Sequence, residues 1–133
     1  MVAIFSFAMD FQPIDLVKLF ANHKEKISLD SGDALFKEGE SGDLMYVLIS
    51  GSIDISVKGE VIETVQAGAI LGEMAMIEPA GRSASAIAKD MCQLVSINQQ
   101  KFTFLVQETP FFALHVMKVL ADRLRKMNEI CNI

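Results

Sequence analysis

Ile53-Asp54-Ile55-Ser56-Val57-Lys58-Gly59-Glu60-Val61-Ile62-Glu63-Thr64-Val65 is the stretch that decides the fold. Ile53, Ile55 and Val57 alternate with Asp54, Ser56 and Lys58, the period of a half-buried strand with one polar face. Lys58-Gly59 is a two-residue turn, and Val61 to Val65 returns antiparallel, which predicts a hairpin.

The same grammar extends to both sides. Upstream, Ile27 and Leu29 alternate with Ser28 and Asp30. Ser31-Gly32-Asp33 is a turn, and Ala34-Leu35-Phe36 is a short strand. Glu38 to Asp43 is a polar loop punctuated by Gly39 and Gly42. Leu44 to Ile49 is a nearly continuous apolar run, which suits a central strand, and Gly51 breaks it. Downstream, Ala67-Gly68 turns, Ile70-Leu71 is short, and a loop around Pro79 to Gly81 leads to strands at Ser83–Ala88 and Cys92–Ile97. No long helix interrupts these segments, so parallel βαβ units are excluded and a double-sheet jelly roll is the matching architecture.

Helical periodicity appears only at the two ends. Met9 to His23 predicts a short amphipathic helix ending near Asn22, with Pro13 in its first turn and Asp15 favouring its start. Lys101 to Glu108 predicts a second helix, and Pro110 opens a third that runs toward Ile130. On this last helix Ala113, Met117, Leu120, Leu124, Met127 and Cys131 step by four and three, the spacing of a heptad seam. Phe112, Val116 and Val119 form a stripe beside it. Either one wide stripe faces the roll, or one stripe packs there and the other meets a second copy.

The whole chain, 133 residues with 51% hydrophobic and 22% charged, has a globular balance. Its net charge of −5 lacks the basic face of a nucleic-acid binder. Arg123, Arg125 and Lys126 are the densest cations, and on a helix they read as solvating charges. Cys92, Cys131, His23 and His115 stand apart, so no metal site is expected. The apolar start, Met1 to Phe11, lacks a basic n-region and is too short to span a bilayer; it reads as a segment packed on the domain. A cytoplasmic protein is expected.

The chemistry concentrates in Leu71-Gly72-Glu73-Met74-Ala75-Met76 and in Arg82-Ser83 beyond the loop. A strand ends, Gly72 allows close approach, and the first amides of the following turn lack intrahelical partners. Arg82 offers paired donors for phosphate oxygens, and Ser83 a hydroxyl. Glu73 is acceptor-only, which suits a sugar hydroxyl. The alternative is an ordinary Glu73–Arg82 ion pair with no ligand.

Two stretches carry a resemblance that bears on this choice. Leu35-Phe36-Lys37-Glu38-Gly39-Glu40-Ser41-Gly42-Asp43-Leu44-Met45-Tyr46-Val47-Leu48-Ile49-Ser50-Gly51 resembles the glycine block of the cyclic-nucleotide-binding domain family. Leu71 to Met76, followed after five residues by Arg82-Ser83-Ala84-Ser85-Ala86-Ile87-Ala88, resembles its phosphate-binding cassette. The resemblance implies one domain over residues 1–133: a mainly β double-stranded β-helix (jelly roll) at about 25–98, an N-terminal helix, and C-terminal helices at about 99–131.

It further implies that Glu73 accepts from the ribose 2′-hydroxyl and that Arg82 pairs with the cyclic phosphate. Gly72 and the backbone at Met74, Ala75, Ser83 and Ala84 complete the cradle. Gly39, Gly42 and Gly51 are then turn residues. The long helix is similar to the dimerising helix of catabolite-activator-like proteins. A Thr-Ser pair there reads adenine, and Met127-Asn128 stand at that place. The base side then comprises Ile55, Ile62, Arg123, Met127 and Asn128, with Ile55 and Ile62 equally readable as core. Related domains use Thr at the place of Ser83 when favouring guanine and Ala or Ser when favouring adenine, so Ser83 leaves the base open; cAMP is favoured over cGMP. With Ile133 as the last residue, no helix-turn-helix follows and DNA binding is not carried over. A regulatory module with no cofactor that signals through its C-terminal helix is the implied function. A homodimer through that helix is one reading of its partners, and its output is open between a protein effector and the rest of a longer chain; the alternatives are a ligand-free interaction or dimerisation roll and a cupin-type enzyme. The enzyme reading fails for want of histidines on the strands.

Overall fold

The computed structural model describes residues 15–78 and 81–131, without the side chains of Met127, Ile130 and Cys131. The expectations for Met1 to Ile14, Pro13 among them, and for Pro79 and Ala80 lie outside the described residues.

Helix α1 is Leu16–Phe20, and Asp15 caps it by accepting from the Lys18 amide at 3.2 Å. Eight strands follow: β1 Ile27–Leu29, β2 Ala34–Phe36, β3 Met45–Ser50, β4 Ser52–Val57, β5 Glu60–Gln66, β6 Ile70–Leu71, β7 Ser85–Ala88 and β8 Cys92–Ile97. A 3-10 turn, Glu73–Met76, sits after β6. Helix α2 is Gln99–Glu108 and α3 is Pro110–Cys131.

The strands form two antiparallel four-stranded sheets, in the orders β1-β8-β3-β6 and β2-β7-β4-β5, as the turn spacing predicts for a jelly roll. The continuous apolar run of β3 has a direct cause. Met45 and Val47 face a core shared with Leu16, Phe20, Phe112 and Val116 of the helices. Tyr46 and Leu48 face the core between the sheets, with Ile53, Val65, Leu71 and Leu94. Both faces of β3 are therefore buried. The chain crosses from one sheet to the other at Gly51, whose φ is +89°. A Cβ there would lie 2.2 Å from the Met91 carbonyl oxygen, so only glycine fits.

The β4–β5 hairpin turns at Lys58-Gly59, both at positive φ (52° and 83°), the handedness that suits a two-residue connection. Its register shifts between Ile55 and Ser56, which pair with Glu63 and Val61. Ile62 is thus the extra residue of a bulge, and it is 61% exposed. The shift sets Val65 opposite Ile53 in the inter-sheet core and Thr64 opposite Asp54, where the hydroxyl donates at 2.6 Å.

Thr109 leaves the helical region between α2 and α3, with φ −135° and ψ 80°, since the following proline disfavours helical backbone there. Along α3, Phe112 and Val116 are buried on the roll, and Val119 and Leu120 pack partly beside them. Met117 and Leu124 of the heptad seam are 61% and 64% exposed. Leu120 belongs to the seam by spacing but faces the roll, so the seam is not a separate stripe over its whole length.

Candidate functional site

Strand β6 ends at Leu71, and Gly72 takes φ +72°, the left-handed region, to start the 3-10 turn. The turn carries Glu73 inward until it is 2% exposed. The Ala75 amide donates to the Gly72 carbonyl at 3.1 Å. The amides of Met74, Ser83 and Ala84 have no hydrogen-bond partner among the described residues. Ser83 and Ala84 lie in a bend, and β7 begins only at Ser85. The first expectation for β7, from Ser83, is two residues too early; the bend aims those two amides away from the ladder.

Arg82 is fixed from four sides. Its own amide donates to the Glu40 carbonyl at 2.7 Å, and its carbonyl accepts from Gly39 at 2.8 Å, so the glycine block holds the cassette in place. Its guanidinium donates to the Leu44 carbonyl at 2.8 Å and to that of Gly72 at 3.4 Å, and lies 4.3 Å over the Phe36 ring. Gly42 and Gly72 make the slot: a Cβ at either would fall 2.5 Å from a guanidinium nitrogen. Gly42 is therefore a close-approach residue and not only a turn residue. Carbonyls and an aromatic face orient a guanidinium but leave its charge unneutralised. Among the described residues no carboxylate pairs with Arg82, and its buried Nε has no partner. Burial pushes the Tyr46 hydroxyl's pKa up, and the Arg82 charge opposes it.

Glu73 pairs instead with Arg123 of α3, whose Nη1 donates to Oε1. Arg123 Nη2 donates to the Ile70 carbonyl at 2.6 Å. Burial pulls the Arg123 guanidinium below its ordinary value, and the charge of Glu63 pulls it back. Glu73 Oε2 is buried with no hydrogen-bond partner. The alternative of a Glu73–Arg82 ion pair is thus overturned: the acid pairs with α3, and no described carboxylate pairs with Arg82.

The remaining base-side expectations scatter. Ile55 packs partly buried against the inter-sheet core, Ile62 points to solvent, and Asn128 is exposed. Arg123 lines a cleft of about 220 Å³ between β5, the β5–β6 turn and α3, together with Glu63 and Lys126. These last two pair at 3.1 Å, and neither was expected at the site. A larger cleft of about 380 Å³ lies on the other side of the cassette, between Ala75–Ile77 and the start of α2; neither Glu73 nor Arg82 lines either cleft. Among the described residues no helix is long and apolar enough to cross a membrane, and no cluster of His, Cys, Asp and Glu could hold a metal ion.

The roll of two antiparallel sheets thus carries a glycine-lined arginine slot with a buried acid beside it. The chain belongs to the cyclic nucleotide-binding domain family, whose model matches residues 26–109. It is 31% identical over 116 residues to the cAMP-activated global transcriptional regulator CRP of Pasteurella multocida, a match covering 83% of this chain and 56% of that protein. It is 38% identical over 72 residues to the cGMP-dependent protein kinase of Eimeria tenella, covering 54% of this chain and 7% of the kinase. The chain therefore spans about half the length of that regulator and a small part of the kinase. The crystal structure of Thermus thermophilus catabolite activator protein superposes with a TM-score of 0.75 at 24% identity, over 87% of this chain and 57% of that one, and shares the fold.

Proposed function

We propose that this chain is a regulatory module, not a catalyst, that binds a cyclic nucleotide at Gly72–Ala84 and transmits the event through α3. The observation that carries this is the Arg82 guanidinium, held in a glycine slot with no carboxylate to neutralise it. A cyclic phosphate supplies the missing charge and accepts from the fork and from the unpaired amides of Met74, Ser83 and Ala84. The unpartnered Oε2 of Glu73 accepts from the ribose 2′-hydroxyl.

The link to α3 follows from Arg123. Glu73 is held by a residue 50 positions away on the long helix, so a ligand that hydrogen-bonds Glu73 alters what holds α3 to the roll. It shifts that helix only by its differential affinity for the two arrangements. cAMP is favoured over cGMP, and Arg123, which holds Glu73, is the base-side residue that stays at the site, since Ile62 and Asn128 are exposed and Ile55 packs on the inter-sheet core. The exposed Met117 and Leu124 support a homodimer through α3, and the output is either a protein effector or the rest of a longer chain. The net charge of −5 speaks against direct nucleic-acid binding by this chain.

Calorimetry with cAMP and cGMP tests the reading. Arg82→Ala removes a charged hydrogen-bond partner of about 1.5–3 kcal/mol and should weaken binding roughly ten- to a hundredfold. Wild-type protein silent toward both nucleotides, or Arg82→Ala binding as well as wild type, would defeat it.

A further inference from the structure

We propose that Phe36 tunes the affinity of the phosphate site by holding Arg82 in place with a surface that carries no competing charge. This rests on the reading above, in which Arg82 receives the cyclic phosphate. A long cation in a binding site has to be ordered, because arginine loses much rotamer freedom when it is fixed. A carboxylate orders it and also neutralises it, so an incoming phosphate must first displace an ion pair. An aromatic face orders the cation through its quadrupole and leaves the guanidinium edge open to an anion.

The fold brings such a face to Arg82. Phe36 is the last residue of β2 and stands opposite Ala86 of β7 in their ladder. Pairing continues past the strand ends through the Gly39 amide to the Arg82 carbonyl and the Arg82 amide to the Glu40 carbonyl. Phe36 and Arg82 thus lie along one pair of antiparallel segments, although far apart in sequence. The Arg82 Cζ is 4.3 Å from the ring centroid, inside the roughly 6 Å reach of a cation–π contact. The ring is itself fixed: it packs partly buried against the inter-sheet core, and the ring of buried Tyr46 lies 6.2 Å from it, tilted by 31°.

Two constraints therefore act on one guanidinium. The carbonyls of Leu44 and Gly72 each accept from one of its Nη atoms, which fixes its direction within its own plane. The Phe36 face fixes the plane. No carboxylate among the described residues pairs with Arg82, so the ring takes the place of a counter-ion in ordering it. Phe36 acts through Arg82 and is a positioning residue. Its effect on affinity is a population effect: binding weakens in proportion to the fraction of molecules whose Arg82 has left the slot.

The test is ring fluorination at position 36 of the full chain. One, two or three fluorines drain negative charge from the ring face while its size and apolar packing stay close to those of phenylalanine. Calorimetry with cAMP should show binding weakened stepwise, by about two- to tenfold over the series, the scale of a partly exposed cation–π contact. In the ligand-free protein the order parameter of the Arg82 Nε–H group should fall in the same sequence. In an Arg82→Ala background the affinity that remains should be indifferent to fluorination. A ring that only fills space gives the same affinity and the same Arg82 order across the series, and that result overturns the proposal; if Arg82→Ala still weakens binding, the phosphate site stands and the role of Phe36 alone falls. A fluorine effect as large in Arg82→Ala as in wild type overturns it too, since the ring then acts on something other than Arg82. Wild type silent toward both cAMP and cGMP removes the underlying reading as well.

Discussion

Replacing Arg123 with Met isolates the latch between the roll and α3. Glu73 is 2% exposed, and its second oxygen already lacks a partner, so the substitution leaves an uncompensated buried carboxylate. Breaking a buried pair in this way typically costs about 3–5 kcal/mol. The Arg123 side chain is 37% exposed, so water screens one side of the pair and discounts the cost to about 2–3 kcal/mol, at or below the bottom of that range. For a chain of 133 residues that lowers the melting temperature by about 7–11 °C, taking roughly 2.1 cal/mol/K of unfolding entropy per residue. The informative companion is the double variant Glu73→Gln with Arg123→Met. Its neutral amide removes the buried charge, so it should regain at least half of the loss, and urea denaturation with unchanged slope would measure it. The reasoning fails if Arg123→Met unfolds within about 0.5 kcal/mol of wild type, or if the double variant is no more stable than the single one.

Three further outcomes follow from other parts of the molecule. Gly42→Ala places a Cβ 2.5 Å from the Arg82 guanidinium, so nucleotide affinity should fall by about tenfold or more while the far-ultraviolet dichroism stays that of the wild type. His115 has a buried Nδ1 without a partner, and burial, helped by the Lys118 charge, holds its pKa below the ordinary 6.5. The unfolded chain then binds this proton more readily than the folded one, so the His115 contribution to stability is present above about pH 6.5 and is lost as pH falls below it; His115→Gln should flatten melting temperature against pH in that window, and an unchanged slope would exclude His115 as its source. Met117→Glu with Leu124→Glu puts two charges on the exposed part of the heptad seam, and sedimentation should show a dimeric wild type turned monomeric; a wild type monomeric at all concentrations removes the dimer.

The sequence by itself determined the architecture and singled out the Gly72–Arg82 segment. Period-two alternation, the Lys58-Gly59 turn and the absence of a mid-chain helix are local properties, and local steric rules convert them into a two-sheet roll. The Gly72-Glu73 turn and Arg82 were equally legible, because residue chemistry and spacing along the chain name a donor set. Tertiary structure alone decided who faces whom. Glu73 answers Arg123 and not Arg82, since the choice depends on where α3 crosses the cassette, which no local period encodes. Ile62 points to solvent because one bulged residue in β5 reverses the parity of its side chain, and alternation cannot locate such a shift. Gly42 matters for the space it leaves beside Arg82, a distance between segments 40 residues apart. Glu63 and Lys126 meet across 63 positions, and each alone reads as an ordinary surface charge.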